Sequence, residues 1–136
     1  MAYRTKLLVV ANQTVDSEEL LDHLLDRAKR GPISVMLVVP QDHPGLGQRL
    51  NDALKRLHDA DIEAEGALGD VDPCVAAIEA WDPRRYDEIV VSTLPEGSSR
   101  WLSHDVPHRI ARATDATVSR IVATRRSGAG SPAAAA

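Results

Sequence analysis

Apolar runs of strand length alternate along the chain with segments whose apolar residues recur at helical spacing. Residues 7–11 (Leu-Leu-Val-Val-Ala) are continuously apolar, the mark of a central strand covered on both faces. Leu20, Leu21, Leu24, Leu25 and Ala28 then share one face of a helix. Asp16 or Ser17 caps this helix, Glu18 and Glu19 sit in its first turn, and Gly31-Pro32 stops it. Residues 33–39 form a second strand ended by Pro40, and residues 41–47 a turn-rich loop. Leu50, Ala53, Leu54 and Leu57 mark the next helix, and residues 62–68 alternate weakly, as an edge strand would. Asp72-Pro73 opens a short helix through Val75, Ile78 and Trp81, residues 88–92 are a fourth strand, and Ile110 and Ala113 belong to a fourth helix. Residues 118–123 close the series.

Five strands alternating with four helices predict an α/β fold: a single doubly wound, five-stranded parallel sheet with right-handed crossovers. This Rossmann-like arrangement at this size has the expected strand order 3-2-1-4-5. The carboxyl ends of strands one and four then flank a crevice, with Ala11 to Val15 opposite Ser92 to Arg100. The 136 residues fit one domain over residues 1–124, followed by a Gly/Ser/Pro/Ala tail at 125–136 expected to be disordered.

Charge and composition narrow the function classes. A net charge of −4 disfavours nucleic acid and anionic membranes as partners. The single cysteine, Cys74, can form neither an internal disulfide nor a cysteine-based metal cluster, and it reads as a small helix residue against the sheet. No apolar run reaches the length of a membrane span and no signal-peptide pattern precedes the first strand, so a cytoplasmic location is expected.

The segment from Asp87 to Ile110 carries the most chemistry: a buried-type strand, then Ser92 and Thr93, a loop with Gly97, Ser98, Ser99 and Arg100, and a helix start at Asp105. Backbone N–H groups and small donors at such a strand end can hold an anion, and Arg100 adds a bidentate cation. The first strand-to-helix turn, residues 12–16, has no glycine, which excludes a dinucleotide fingerprint and a P-loop there. A flavodoxin-like phosphate loop is disfavoured for the same turn. Asn12 and Thr124-Arg125 stand where a phospho-receiver would need clustered acids and a lysine.

The runs Leu7-Leu-Val-Val-Ala-Asn12, Met36-Leu-Val-Val-Pro40, Tyr86-Asp-Glu-Ile-Val-Val-Ser-Thr93 and Val106-Pro-His-Arg-Ile, with Val118-Ser-Arg-Ile-Val-Ala123, resemble the universal stress protein family from Lys6 to Ala123. The resemblance implies a nucleotide-binding crevice and a homodimer formed through the last strand. It also implies a Gly-x2-Gly-x9-Gly-(Ser/Thr) motif after strand four and an aspartate ending strand one in ATP-binding members. This chain departs from that pattern. Asn12 replaces the aspartate, Gly97 is the one loop glycine kept, and His104-Asp105 stand where Gly-(Ser/Thr) belongs. An ionised carboxylate accepts and repels where a hydroxyl would donate to phosphate, and Asp105 is expected to cap the last helix itself.

The expected protein is therefore a non-catalytic binding or regulatory module of this type, holding a nucleotide or small polar or anionic ligand, with ATP binding weak or lost. The alternative is a ligand-free dimerisation or interaction module of the same fold. The expected binding residues are Ala11, Asn12, Val39 through its backbone, Ser92, Thr93, Gly97, Ser98, Ser99, Arg100 and Asp105. No cofactor follows from the residues, and ATP or a related nucleotide is disfavoured as one. His104 and His108 straddle a helix start without a third ligand, so no metal site is expected. Asp42-His43 lacks a nucleophile at a recognisable elbow, and no other catalytic set is visible. Trp101 reads as a loop anchor and Arg84-Arg85 as a solvated turn.

Overall fold

A computed structural model describes residues 4–95 and 99–123, with residues 102 and 103 as backbone only. The Gly97 and Ser98 expectations, and the expected disordered tail at 125–136, lie outside the described residues. In chain order the elements are β1 (Thr5–Val10), α1 (Glu18–Lys29), β2 (Ile33–Pro40), α2 (Leu46–Asp59), β3 (Glu63–Gly69) and α3 (Pro73–Ala80). They continue with β4 (Glu88–Thr93), α4 (Arg100–Ser103), α5 (Val106–Thr114) and β5 (Val118–Val122).

All neighbouring strands pair in parallel, in the order β3-β2-β1-β4-β5, which is the order expected from the sequence. Alternation along β1 divides the core. Leu7 and Val9 join Leu20 and Leu24 of α1 and Leu50, Ala53 and Leu57 of α2 on one face. Leu8 and Val10 join Cys74 and Ala77 of α3, Ile110 of α5 and Trp101 on the other. Strand residues covered on both faces explain the unbroken apolar run.

Local chemistry sets the helix ends. Ser17 Oγ accepts from Leu20 N at 3.1 Å, so Ser17 rather than Asp16 caps α1. Asp72 Oδ1 accepts from Cys74 N at 2.8 Å at the start of α3, just before Pro73. Gly45, at φ 85°, lets the chain turn into α2 at Leu46, ahead of the first residue that periodicity marks. Gly69 allows a close approach of a different kind: a Cβ there would lie 2.9 Å from Ala76 Cβ, so its absence lets α3 settle on the sheet.

Two expectations fail at the last crossover. The loop after β4 contains the additional one-turn helix α4, with His104 N donating to Arg100 O at 3.1 Å. Trp101, 8 % exposed, anchors that turn in the core, so the aromatic organises a stretch whose polar composition reads as loop. Asp105 occupies the N-cap position of α5 but makes no side-chain cap hydrogen bond. Its left-handed backbone, φ 56° and ψ 40°, departs from the extended geometry that aims an N-cap side chain at the first N–H groups. The expected capping by Asp105 is therefore overturned.

Across the sheet from the crevice, Arg27 of α1 forks onto Glu88 of β4, at 2.8 and 3.0 Å. The guanidinium hydrogen bond holds the Glu88 carboxyl below its ordinary range, against the opposing effect of burial. This pair ties α1 to the entry of β4 and leaves the strand's other end for the site.

Candidate functional site

Where the carboxyl ends of β1, β2 and β4 meet, the turn from β1 to α1 is buried although its side chains are polar. Asn12 is 8 % exposed, Thr14 1 %, Asp16 6 % and Ser17 1 %. Such a turn needs partners for every group, and α2 and β4 supply them. Arg49 Nη2 donates to Asp16 Oδ1 at 2.8 Å and Arg49 Nε to Asp16 Oδ2 at 3.3 Å. Arg49 also donates to the Gln13 carbonyl. Arg56 Nη1 donates to the Asp16 carbonyl at 2.9 Å, and the Thr14 and Ser92 hydroxyls meet at 2.6 Å. Two arginines of α2 thus shape a turn that has no glycine to tighten it.

Beside this turn lies a cleft of about 510 Å³, within the usual range for small-ligand sites. One wall is formed by Asn12 and Gln13 after β1 and by Asp42 and His43 after β2. Val71, Asp72 and Pro73 line it at the start of α3, and Thr93 and Leu94 at the end of β4. Ser99, Arg100 and Trp101 at α4, with His104, Val106 and Arg109, form the other wall. Carboxylates therefore stand on the β2 and α3 side, and guanidinium groups on the α4 and α5 side. A void between α1 and α2, of about 10 Å³, is at most the size of one water.

Asn12 is committed inside the protein. Its Nδ2 donates to Asp42 Oδ1 at 3.0 Å and Oδ2 at 3.1 Å, and its Oδ1 accepts from Gln13 N at 2.6 Å. Thr93 is the opposite case. It is 2 % exposed, lines the cleft, and its Oγ1 has no hydrogen-bond partner in the structure. Among the described residues one other buried side-chain polar atom shares this condition, His23 Nε2 on α1. Burial, followed by the nearby Arg27 and Arg30 charges, pushes the His23 ring's pKa down, favouring its neutral form.

Of the residues expected from the sequence, Asn12, Thr93, Ser99 and Arg100 share the cleft lining. Ala11 and Val39 are fully buried, and Ser92, 1 % exposed, spends its hydroxyl on Thr14; none of the three lines the cleft. Asp105 is exposed and also lies off the lining.

Sequence reasoning missed Gln13, Asp42, Asp72 and Arg109 as lining residues. Asp42 and Asp72 had one available signal, since each closely follows a strand end on the ligand side of an open sheet. Arg109 had another: side chains in a first helical turn lean back toward the helix N-terminus. Burial pushes the Cys74 thiol up, which leaves it the inert helix residue its position suggests. Among the described residues, no group of three or more His, Cys, Asp or Glu is placed to hold a metal ion.

No family model matches the chain, and no curated protein matches it. Solved structures do. A universal stress protein family protein from Arabidopsis thaliana with AMP bound superposes with a TM-score of 0.60 at 15 % identity, covering 97 % of this chain and 98 % of that one. A universal stress protein in complex with cAMP gives 0.52 at 20 % identity, over 91 % of this chain and 100 % of that one. With the same sheet order and near-complete coverage of both chains, this protein has the universal stress protein fold.

Proposed function

We propose that the protein is a divergent universal stress protein-like module, non-catalytic and cytoplasmic, that holds a nucleoside monophosphate or a similar small anionic ligand in the cleft. The observation that carries this reading is the Thr93 hydroxyl, buried without a partner in the cleft wall shared with Arg100 and Arg109. A buried hydroxyl left unsatisfied costs roughly 1–3 kcal/mol, and a ligand that displaces the residues covering it would recover that cost. The two solved structures of the same fold, one with AMP bound and one in complex with cAMP, support the ligand class. Among the described residues no helix is long and apolar enough to cross a membrane.

ATP is disfavoured in this reading. The loop after β4 retains Gly97 alone, and two guanidinium groups face a wall that carries Asp42 and Asp72. A triphosphate brings more negative charge than that balance accommodates. Titration calorimetry is expected to give AMP a higher affinity than ATP. Arg100→Ala should weaken AMP binding by about 1.5–3 kcal/mol, the scale of a charged hydrogen bond. Micromolar ATP binding, or AMP affinity unchanged in Arg100→Ala, would overturn the reading.

Assembly is part of the same proposal. β5 lies at the sheet edge with Val122 44 % exposed, and an apolar edge strand invites pairing. Light scattering is expected to give a homodimer, and a monomer at high micromolar concentration removes this part.

A further inference from the structure

We propose that Asp42, oriented by Asn12, recognises the sugar diol of a nucleoside monophosphate whose phosphate faces Arg100 and Arg109. The inference rests on the nucleotide reading above and deepens it.

Asp42 follows β2, and its side chain is 28 % exposed on the cleft. An ionised carboxylate offers about four lone-pair sites. The Asn12 amide lies within 3.1 Å of both oxygens and fixes the carboxylate plane. Beside it, Gln13 Nε2 stands 2.8 Å from His43 Nε2. His43 Nε2 lies 3.8 Å from Asp42 Oδ1, beyond hydrogen-bond distance. Acceptor capacity is left on the Asp42 carboxylate at the cleft, the character needed to receive two vicinal hydroxyls. In doubly wound sheets, an acid beyond strand two is well placed to take a ribose hydroxyl.

The strand order places Asp42 and the arginines at opposite sides of the cleft. β1 lies between β2 and β4, and adjacent strands run about 4.8 Å apart, so the two walls rise from strands about 10 Å apart. A sugar phosphate bearing a base can bridge the two sides, with side chains reaching inward from both ends. Thr93 ends β4 in the cleft lining, on the side away from Asp42.

The test compares AMP with 2′,3′-dideoxyadenosine monophosphate, which keeps the base and phosphate and lacks both hydroxyls. Calorimetry on the wild-type protein is expected to favour AMP by about tenfold or more, as for a lost hydrogen bond to a charged group. Asp42→Asn should lower AMP affinity by a similar factor and erase the preference, with an unchanged thermal melt. Arg100→Ala should weaken both ligands equally. Equal wild-type affinity for the two, or a preference that survives in Asp42→Asn, overturns the role of Asp42 while leaving the nucleotide reading intact. Absence of AMP binding in the wild type overturns that reading, and this inference with it.

Discussion

Ile110→Ala is expected to destabilise the protein by about 3–4 kcal/mol, within the range for emptying a buried aliphatic site. Ile110 is fully buried on the face of the sheet covered by α3 and α5, in one cluster with Leu8, Val10, Ile89 and Val91. α5 has nine residues and buries just two of them, Val106 and Ile110. Truncation leaves a cavity that the flanking strands cannot fill, because their backbones are held by the ladders on both sides. The same helix carries Val106 and Arg109 to the cleft, so loosening it should also weaken ligand binding. Urea denaturation would measure the loss. A change below about 1 kcal/mol would mean that α5 is held chiefly by something other than this side chain.

Arg49→Ala is expected to cost about 2–3 kcal/mol, the scale of losing a hydrogen-bonded charge pair. The Asp16 side chain is 8 % exposed and takes both carboxylate oxygens to Arg49, which also holds the Gln13 carbonyl. Without the guanidinium, a buried carboxylate loses its fork and the turn from β1 loses a brace. Arg49→Lys should recover only part of the loss, since an ammonium cannot reproduce the planar fork. Thermal and urea unfolding of the two variants would check this. Equal stability of Arg49→Ala and wild type would show the turn to be self-supporting. Because Asn12 and Gln13 belong to that turn, AMP affinity should fall together with stability.

Much of the fold was legible because the signals are local or periodic. The unbroken apolar run of β1 predicts burial on both faces, and the spacing of Leu20, Leu24, Leu50 and Leu57 predicts two amphipathic helices, which the structure packs on one side of the sheet. Asp72-Pro73 marks the start of α3 through its own cap. The unexpected elements are those whose cause lies elsewhere in the chain. α4 is a short turn anchored by the burial of Trp101, and Asp105 lost its expected capping role because its backbone enters the left-handed region. Neither burial against distant elements nor that backbone angle leaves a periodic trace.

The site divides along the same line. Asn12, Thr93, Ser99 and Arg100 follow from the rule that ligands gather at the carboxyl ends of neighbouring strands, which needs only the strand order. The sequence alone determined the alternation of strands and helices and the absence of a glycine-rich turn after β1, and the order expected from that alternation is the one the structure has. Only the tertiary structure decided what each polar group has left to give. It brought Asp42 onto Asn12 across a gap of thirty residues, paired Ser92 with Thr14, and left the Thr93 hydroxyl without a partner. The physical reason is that residue type states which hydrogen bonds a side chain can make, whereas three-dimensional packing determines which of them the protein has already made.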